Sequence, residues 1–383
     1  MSGLALTQES SSTGCKRGLN DSTSIVRKRK PVTKESNAGR LSNRRIVLVK
    51  RPRGEPTTDN FRLERAPVLE PDAGELVART IYLSLDPYMR GRMSDSPLYA
   101  EPVGIGEVMV GGSVGQVIAS RLDEFSPGDF VVGNGGWQDY ATYQAGQVRR
   151  LEPDVAPIST ALGVLGMPGL TAWGGLREIA NPTAEETLVV AAASGAVGSV
   201  VGQIAKLRGC RVVGLASSAD KRSYLTDELG FDAALDYRAD DFARQLETAC
   251  PKGIDIYWEN VGGTVFDAVL PLLNMFARVP VCGLILWYKA TEVPTLADPT
   301  PRLMRTILVK RLKLQGLIVF DFDALRSEFM AEMGEWVRAG AIRYREDVRE
   351  GLERGPDALI GLLRGENFGK LLVQVSEDPT RSE

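Results

Sequence analysis

Residues 187–202 read TLVVAAASGAVGSVVG. An apolar run gives way to a cluster of small residues, after which apolar side chains return at helical spacing. The run 187–193 has the length and composition of a strand buried on both faces. Ala193-Ser194-Gly195-Ala196-Val197-Gly198 then keeps the spacing G-x-G-x-x-G, with alanine in the first position. Small side chains let backbone approach a pyrophosphate, whose charge sits at the N-terminus of the helix that follows, 199–208. Gly202, one turn on, allows that helix to pack closely on its strand. The plainer alternative is a tight turn without a ligand. The strand–turn–helix context favours a dinucleotide site built from Gly195, Ala196, Val197 and Gly198.

Downstream the pattern alternates. Residues 211–216, 254–258, 278–282 and 312–319 read as strands, 221–229 and 324–339 as helices. Such alternation predicts an α/β fold with a doubly wound parallel sheet and helices on both faces. Upstream the pattern differs. Residues 45–51 (RIVLVKR), 75–82, 111–120 and 138–143 are short strands between Pro and Gly turns, which predicts an all-β, barrel-like domain to about residue 165. The end of the chain, 342–375, returns to mixed structure and closes on a strand at 370–375. Residues 1–44 are Ser-rich and basic, with Arg27-Lys28-Arg29-Lys30 at their centre, and read as a disordered tail. A targeting segment, a nucleic-acid arm, a tether or simply an unstructured start would all have this composition. The boundaries expected are therefore 1–44 for the tail, 45–165 for the β domain, and 166–340 for the dinucleotide-binding domain.

Composition narrows the chemistry. A chain of 383 residues fits two domains, and its net charge of −3 supplies no general attraction to nucleic acid or membrane. No apolar run approaches the length that spans a bilayer. The four cysteines are scattered, with no C-x-x-C pair, as expected of a protein in the reducing cytoplasm. There is no histidine. That removes His-ligated zinc, Ser-His-Asp hydrolysis and Cys-His chemistry in one stroke, and no Asp/Glu cluster suggests another metal.

The second αβ strand ends in Ser217-Ser218, with Lys221 following. Hydroxyls and a cation suit the 2′-phosphate of NADPH better than the bare ribose of NADH. Asp220 falls in the spacing window of an NAD-type acid, but the first turn of the next helix is a natural place for it.

Several stretches together resemble one known family. AASGAVG (192–198), ENVGG (259–263), MPGLTAW (167–173), LDPYMR (85–90) and NFGK (367–370) occur in the order seen in the zinc-free medium-chain dehydrogenases/reductases, in the prostaglandin reductase or leukotriene B4 12-hydroxydehydrogenase group. Bacterial curcumin reductase and plant double-bond reductases belong to the same group. The resemblance spans about residues 45–375. It implies a GroES-like catalytic domain of 45–165 completed by 341–383, a Rossmann domain, a homodimer joined through the cofactor domains, and hydride transfer from NADPH to the β-carbon of an enone or enal. It also implies site residues. Lys221 would hold the 2′-phosphate, with Ser218 beside it and Tyr237 near the adenosine. Asn260 would reach the cofactor ribose. Cys282, Gly283, Leu284 and Tyr288 would line the nicotinamide, as would Leu317, Ile318 and Val319 on a strand, and Asn367 would reach it from the catalytic domain.

Conjugate reduction needs a donor for the charge that develops on the carbonyl oxygen. Without histidine, a tyrosine hydroxyl is the candidate, and Tyr288 occupies the tyrosine position of the family's loop. Residues 283–289 (GLILWYK) depart from the family pattern: Leu286, Trp287 and Lys289 make the loop bulkier and more apolar. Trp287 thereby joins the substrate-pocket candidates. Tyr88 either lines the substrate cleft or packs under a turn. Met167 and Trp173, flanking a Pro-Gly turn at the domain junction, either line the pocket or fill interdomain core. Two rival readings share the fold: a quinone reductase of the same superfamily, and an NADPH-binding module without catalysis.

Overall fold

The computed structural model describes residues 29–34, 37–95, 99–288 and 300–381. Its centre is a six-stranded parallel sheet. In spatial order the strands are Ala233–Leu235, Arg211–Leu215, Thr187–Val190, Ile254–Trp258, Leu273–Val281 and Lys313–Gly316. The chain winds outward from Thr187–Val190 in both directions, the order of a Rossmann sheet.

Alternation along each strand feeds two cores. Leu188, Val190, Ile256 and Trp258 face the helices Met167–Gly175, Gly198–Leu207 and Arg326–Arg338. Val189, Ala191, Tyr257 and Val279 face the opposite layer, with the helices Phe242–Ala249 and Thr264–Val269. Both faces of the sheet are covered, which is why these strands read as continuous apolar runs.

The second body is a mixed seven-stranded sheet. Its long strand Glu75–Ser84 pairs with Ser113–Ser120, Tyr140–Gln144 and, from the far end of the chain, Lys370–Gln374. Glu346–Glu350 then adds in parallel to Lys370–Gln374. The C-terminal residues thus return to complete the sheet begun by the N-terminal ones, and this return brings the NFGK stretch against the parallel sheet.

Three expectations need correction. The described part of the supposed tail is not structureless: Thr33–Lys34 and Asn37–Arg40 pair with each other, and Ser42–Leu48 pairs with Phe61–Pro67. Backbone bonds from Val32 to Val68 and from Glu70 to Lys30 fasten the approach, and the Arg29 guanidinium lies 2.6 Å from Asp72 and 3.0 Å from Glu75. Polar, aperiodic composition concealed strands that are fastened by backbone pairing. Residues 1–28, 35 and 36 lie outside the described residues. Second, Pro168-Gly169 is no turn but the opening of the helix Met167–Gly175; proline is at home in a first helical turn. Third, the strand expected at 312–319 ends at Gly316, and a 3₁₀ turn, Val319–Leu325, follows. Among the described residues, no helix is long and apolar enough to cross a membrane.

Candidate functional site

In an open parallel sheet, ligands bind beyond the carboxyl ends of the strands where the strand order reverses. Here that point lies between Thr187–Val190 and Ile254–Trp258, and the loops 191–198 and 259–263 leave from it. The glycine loop turns sharply. Ala192 has a positive φ of 51°, and the Gly195 N–H donates to its carbonyl at 3.0 Å. A β-carbon on Gly198 would stand 2.5 Å from the same oxygen, so the first residue of the helix Gly198–Leu207 must be glycine. Within the helix start, Ser199 N–H donates to the Gly195 carbonyl and Val200 and Val201 N–H to that of Val197, so the turn before them, 196–198, is the backbone this arrangement offers to an anion.

At the next strand end, Ser218 caps the helix Ala219–Ser223 by accepting the Lys221 N–H at 3.4 Å. Asp220 sits in that helix's first turn, as expected. Lys221 is half-buried and reaches across to donate to the Gly365 carbonyl at 2.7 Å. Burial lowers its pKa and the Arg238 charge lowers it further, against a smaller pull from Asp347. Arg238 lies over the ring of Tyr237, 5.5 Å from its centroid. Sequence reading passed over Arg238. Only its placement beside Lys221 singles it out, since a lone Arg after the Asp236-Tyr237 pair carries no signal.

On the other side of the crevice, Asn260 donates from its amide to the Ala191 carbonyl at 2.8 Å and accepts from the Trp258 indole at 3.3 Å. It braces the two strand ends that flank the switch point. The backbone of 259–261 in turn carries the loop 282–288. The Glu259 carbonyl accepts the amides of Cys282 and Gly283, Asn260 that of Ile285, and Val261 that of Leu286. The buried Glu259 carboxylate holds the turn from within, accepting Val261 and Gly262 N–H at 2.6 and 2.8 Å. Gly262 and Gly263, both at positive φ, leave the space into which Trp287 and Leu286 settle. Trp287 is therefore an anchor of the loop against the glycine pair, a role that bulk alone did not foretell. Lys289 lies outside the described residues.

The loop delivers Tyr288 to the other sheet. Tyr288 and Tyr88 both pack against the apolar cluster of Leu83, Leu85, Met89 and Met109. Burial pushes the Tyr288 phenol up to about 12, helped by Cys282 and Tyr99, while the Leu284 N–H works against the shift. Burial raises the Tyr88 phenol as well, with Asp86 and Tyr99 adding to it. The Cys282 thiol is pushed up to about 12, chiefly by burial. Tyr99 is close enough to act on Tyr88 and Tyr288, and its own phenol is raised by burial. It makes a third phenol that sequence reading missed, because SPLYAEP carries no periodicity.

The remaining candidates are placed differently. Trp173 is buried in the core below the sheet, edge-on to Phe329, and donates from its indole to Glu332 at 2.6 Å. Of the two alternatives left open for it, core is the one the packing describes. Met167 starts the same helix, its carbonyl accepting from Thr171. Leu317 is buried against the helix Met167–Gly175, Ile318 is capped by Asp321, and Val319 opens the 3₁₀ turn, so no strand carries these three to the nicotinamide side. Asn367 donates to Gly369 within its own loop at 2.8 Å. It is Gly369 that pairs with Gly195, so the NFGK loop meets the glycine loop through backbone.

Comparison with known proteins places this geometry. Residues 44–151 match a family model described as the N-terminal domain of oxidoreductase, and residues 196–337 one described as zinc-binding dehydrogenase. This chain has no histidine, and among the described residues no three of Cys, Asp and Glu gather as metal ligands. It is 56% identical to the NADPH-dependent curcumin reductase of Escherichia coli, over 88% of this chain and 98% of that protein. It is 36% identical to the 2-alkenal reductase (NADP(+)-dependent) of Nicotiana tabacum, over 89% of this chain and 100% of that one. The crystal structure of CurA in complex with NADPH from Vibrio vulnificus superposes with a TM-score of 0.85 at 54% identity, covering 88% of this chain and 100% of the other. The chain belongs to the zinc-free medium-chain dehydrogenase/reductase family, in the group of curcumin reductase, 2-alkenal reductase and prostaglandin reductase 1.

Proposed function

We propose that this protein reduces the carbon–carbon double bond of α,β-unsaturated ketones and aldehydes, using NADPH. The observation that carries the reading is that Tyr288, from the loop after the Rossmann strand Leu273–Val281, and Tyr88, from the short helix Tyr88–Arg92 of the other body, pack on a single apolar cluster. The relatives named as NADPH-dependent curcumin reductase and 2-alkenal reductase support the same reaction class.

The residues present fit the cofactor. Gly195, Ala196, Val197 and Gly198 offer backbone to a pyrophosphate, and the close approach at Gly198 leaves room for no side chain. Lys221 and Arg238 bring two cations to one place at the adenosine end, which suits a phosphate dianion. Tyr237 stands beside them for the adenine. Asn260, Cys282, Gly283 and Leu284 border the nicotinamide end. When bound, NADPH supplies the hydride. The chain's own part is to orient and to donate. The Tyr288 phenol, held protonated at neutral pH, donates a hydrogen bond to the carbonyl oxygen as negative charge develops there. Tyr88 and Tyr99 close the other side of the substrate, and the apolar cluster beneath excludes water. Solvent supplies the proton to the α-carbon.

A homodimer and a cytoplasmic setting belong to the same proposal. Among the described residues Lys313–Gly316 is an edge strand, and near it Met275, Phe276, Met304, Leu308 and Val309 are exposed, Leu308 by 76%. An unpaired edge beside an apolar patch suits pairing with a second copy. The described cysteines Cys210, Cys250 and Cys282 are free thiols, in keeping with a reducing compartment.

The test is oxidation of NADPH, followed at about 340 nm, with a panel of enones, enals and quinones and with NADH in parallel. Turnover of enones with preference for NADPH is expected. Turnover of quinones alone would overturn the reaction, and NADPH binding with no turnover on any acceptor would favour a binding module.

A further inference from the structure

Two of the stretches that mark the family, LDPYMR and NFGK, are joined in space by their charged residues. The Lys370 ammonium lies 2.7 Å from Asp86 Oδ1, with the two side chains only 5% and 8% exposed. Neither belongs to the set that would touch substrate or cofactor. We propose that this pair is a positioning device: it ties the placement of Tyr88 to the cofactor loop. The proposal rests on the reading of Tyr88 as a substrate-facing phenol.

On one side of the pair, the turn into Tyr88 is held at several polar atoms. Lys370 gives a second hydrogen bond to the Leu85 carbonyl at 2.9 Å. The Ser84 hydroxyl donates to the other carboxylate oxygen of Asp86. The Asp86 carbonyl accepts the Met89 N–H at 3.1 Å, and so opens the short helix Tyr88–Arg92. With Asp86 clamped at both ends, the helix start has one orientation, and Tyr88 is its first residue.

On the other side, the backbone of Lys370 donates to the Arg345 carbonyl at 2.8 Å. Gly369 just before it, at φ +84°, pairs with Gly195 of the glycine loop. A β-carbon on Gly369 would stand 2.2 Å from the Arg345 carbonyl, so this approach has no slack. The lysine itself is buried. A continuous path therefore runs from Gly195 through Gly369, Lys370 and Asp86 to Tyr88.

Energetics favour geometry over stability as its purpose. A buried ion pair loses about as much by desolvation as it gains by attraction, and apolar replacements of similar volume are often no less stable. What apolar residues cannot supply is direction: two ammonium N–H bonds aimed at fixed acceptors, the Leu85 carbonyl and Asp86 Oδ1, define a single register. A displacement of about 1 Å at a reacting centre can cost on the order of 10²-fold in rate, so a register device next to a substrate phenol has a function to serve.

The experiment is a double-mutant cycle on kcat with 4-phenylbut-3-en-2-one and NADPH, comparing Asp86→Asn, Tyr88→Phe and the double variant. NADPH binding is followed by fluorescence, and hydrogen exchange of residues 85–92 is measured with and without NADPH. Each single variant should lower kcat by roughly 10- to 100-fold with NADPH affinity little changed. The double variant should be no slower than the slower single one, because residues in one network do not act additively. NADPH should protect residues 85–92 in the wild type and not in Asp86→Asn. Losses that multiply, or an unimpaired Asp86→Asn, would overturn the proposal, as would absence of that protection in the wild type. Should Asp86→Asn fail to fold, Ser84→Ala removes one hydrogen bond of the clamp and enters the same cycle; unchanged turnover there counts against the proposal. An unimpaired Tyr88→Phe refutes a different statement, the placement of Tyr88 in the site.

Discussion

Gly202 faces the ring of Phe231 so closely that a β-carbon on the glycine would stand 2.0 Å from Phe231 Cζ. Gly214, on the strand Arg211–Leu215, makes room for the same ring from the other side, where a β-carbon would lie 2.8 Å from Cδ2. Two glycines thus admit one phenylalanine between the cofactor helix and its sheet. Gly202→Ala forces the ring to move, and overpacking of this kind costs about 1–3 kcal/mol. Thermal unfolding should register the loss as a lower Tm. An unchanged Tm would mean that the helix does not pack here as described.

Lys221→Ala removes one of the two cations at the adenosine end. A hydrogen bond to a charged group contributes about 1.5–3 kcal/mol, so Kd for NADPH should rise by about 10- to 100-fold. Kd for NADH, which has no 2′-phosphate, should hardly move. Equal weakening of both cofactors in a binding titration would remove Lys221 from phosphate recognition.

Tyr288→Phe deletes a donor aimed at the developing oxyanion. Losing one such donor costs on the order of 10²-fold in kcat, while NADPH affinity stays nearly the same. The sign of the pH dependence follows from the raised phenol. With its pKa pushed up to about 12, the donor form is present at all lower pH, and ionisation removes it only as pH rises through that value. This group therefore leaves kcat flat between about pH 6 and 9. A wild-type rate falling across that window, with the fall absent in Tyr288→Phe, would contradict the assignment.

Trp173→Phe keeps the ring in the core but loses the indole hydrogen bond to Glu332. Glu332 is partly exposed and can turn to water, so the expected cost is about 0.5–1.5 kcal/mol of stability. The ranking of substrates by kcat/KM should not change. A widened substrate range would return Trp173 to the pocket, where sequence reading had allowed it to be.

Local pattern was enough for the scaffold of the site. A buried strand, a run of small residues and an amphipathic helix follow one another in 187–207, and that order alone specifies a crevice at a strand end with a helix opening beside it. The lack of histidine turned the search for a donor toward the phenols, because composition removes a residue type everywhere at once. Contacts between distant segments were not legible in the same way. Period and propensity say which face of an element is apolar, but not which other element covers it. Hence Trp173 could be assigned to the pocket or to the core on equal terms, until the helix Arg326–Arg338 was seen to hold it. Hence too the packing of Trp287 on Gly262 could not be read from its bulk. The ion pair of Asp86 with Lys370 and the pairing of Gly195 with Gly369 exist only because the last strand returns to the first sheet. No local preference in either stretch encodes that return. It is decided where burial of both sheets, satisfaction of their edges and neutralisation of two buried charges are met by one arrangement of the whole chain.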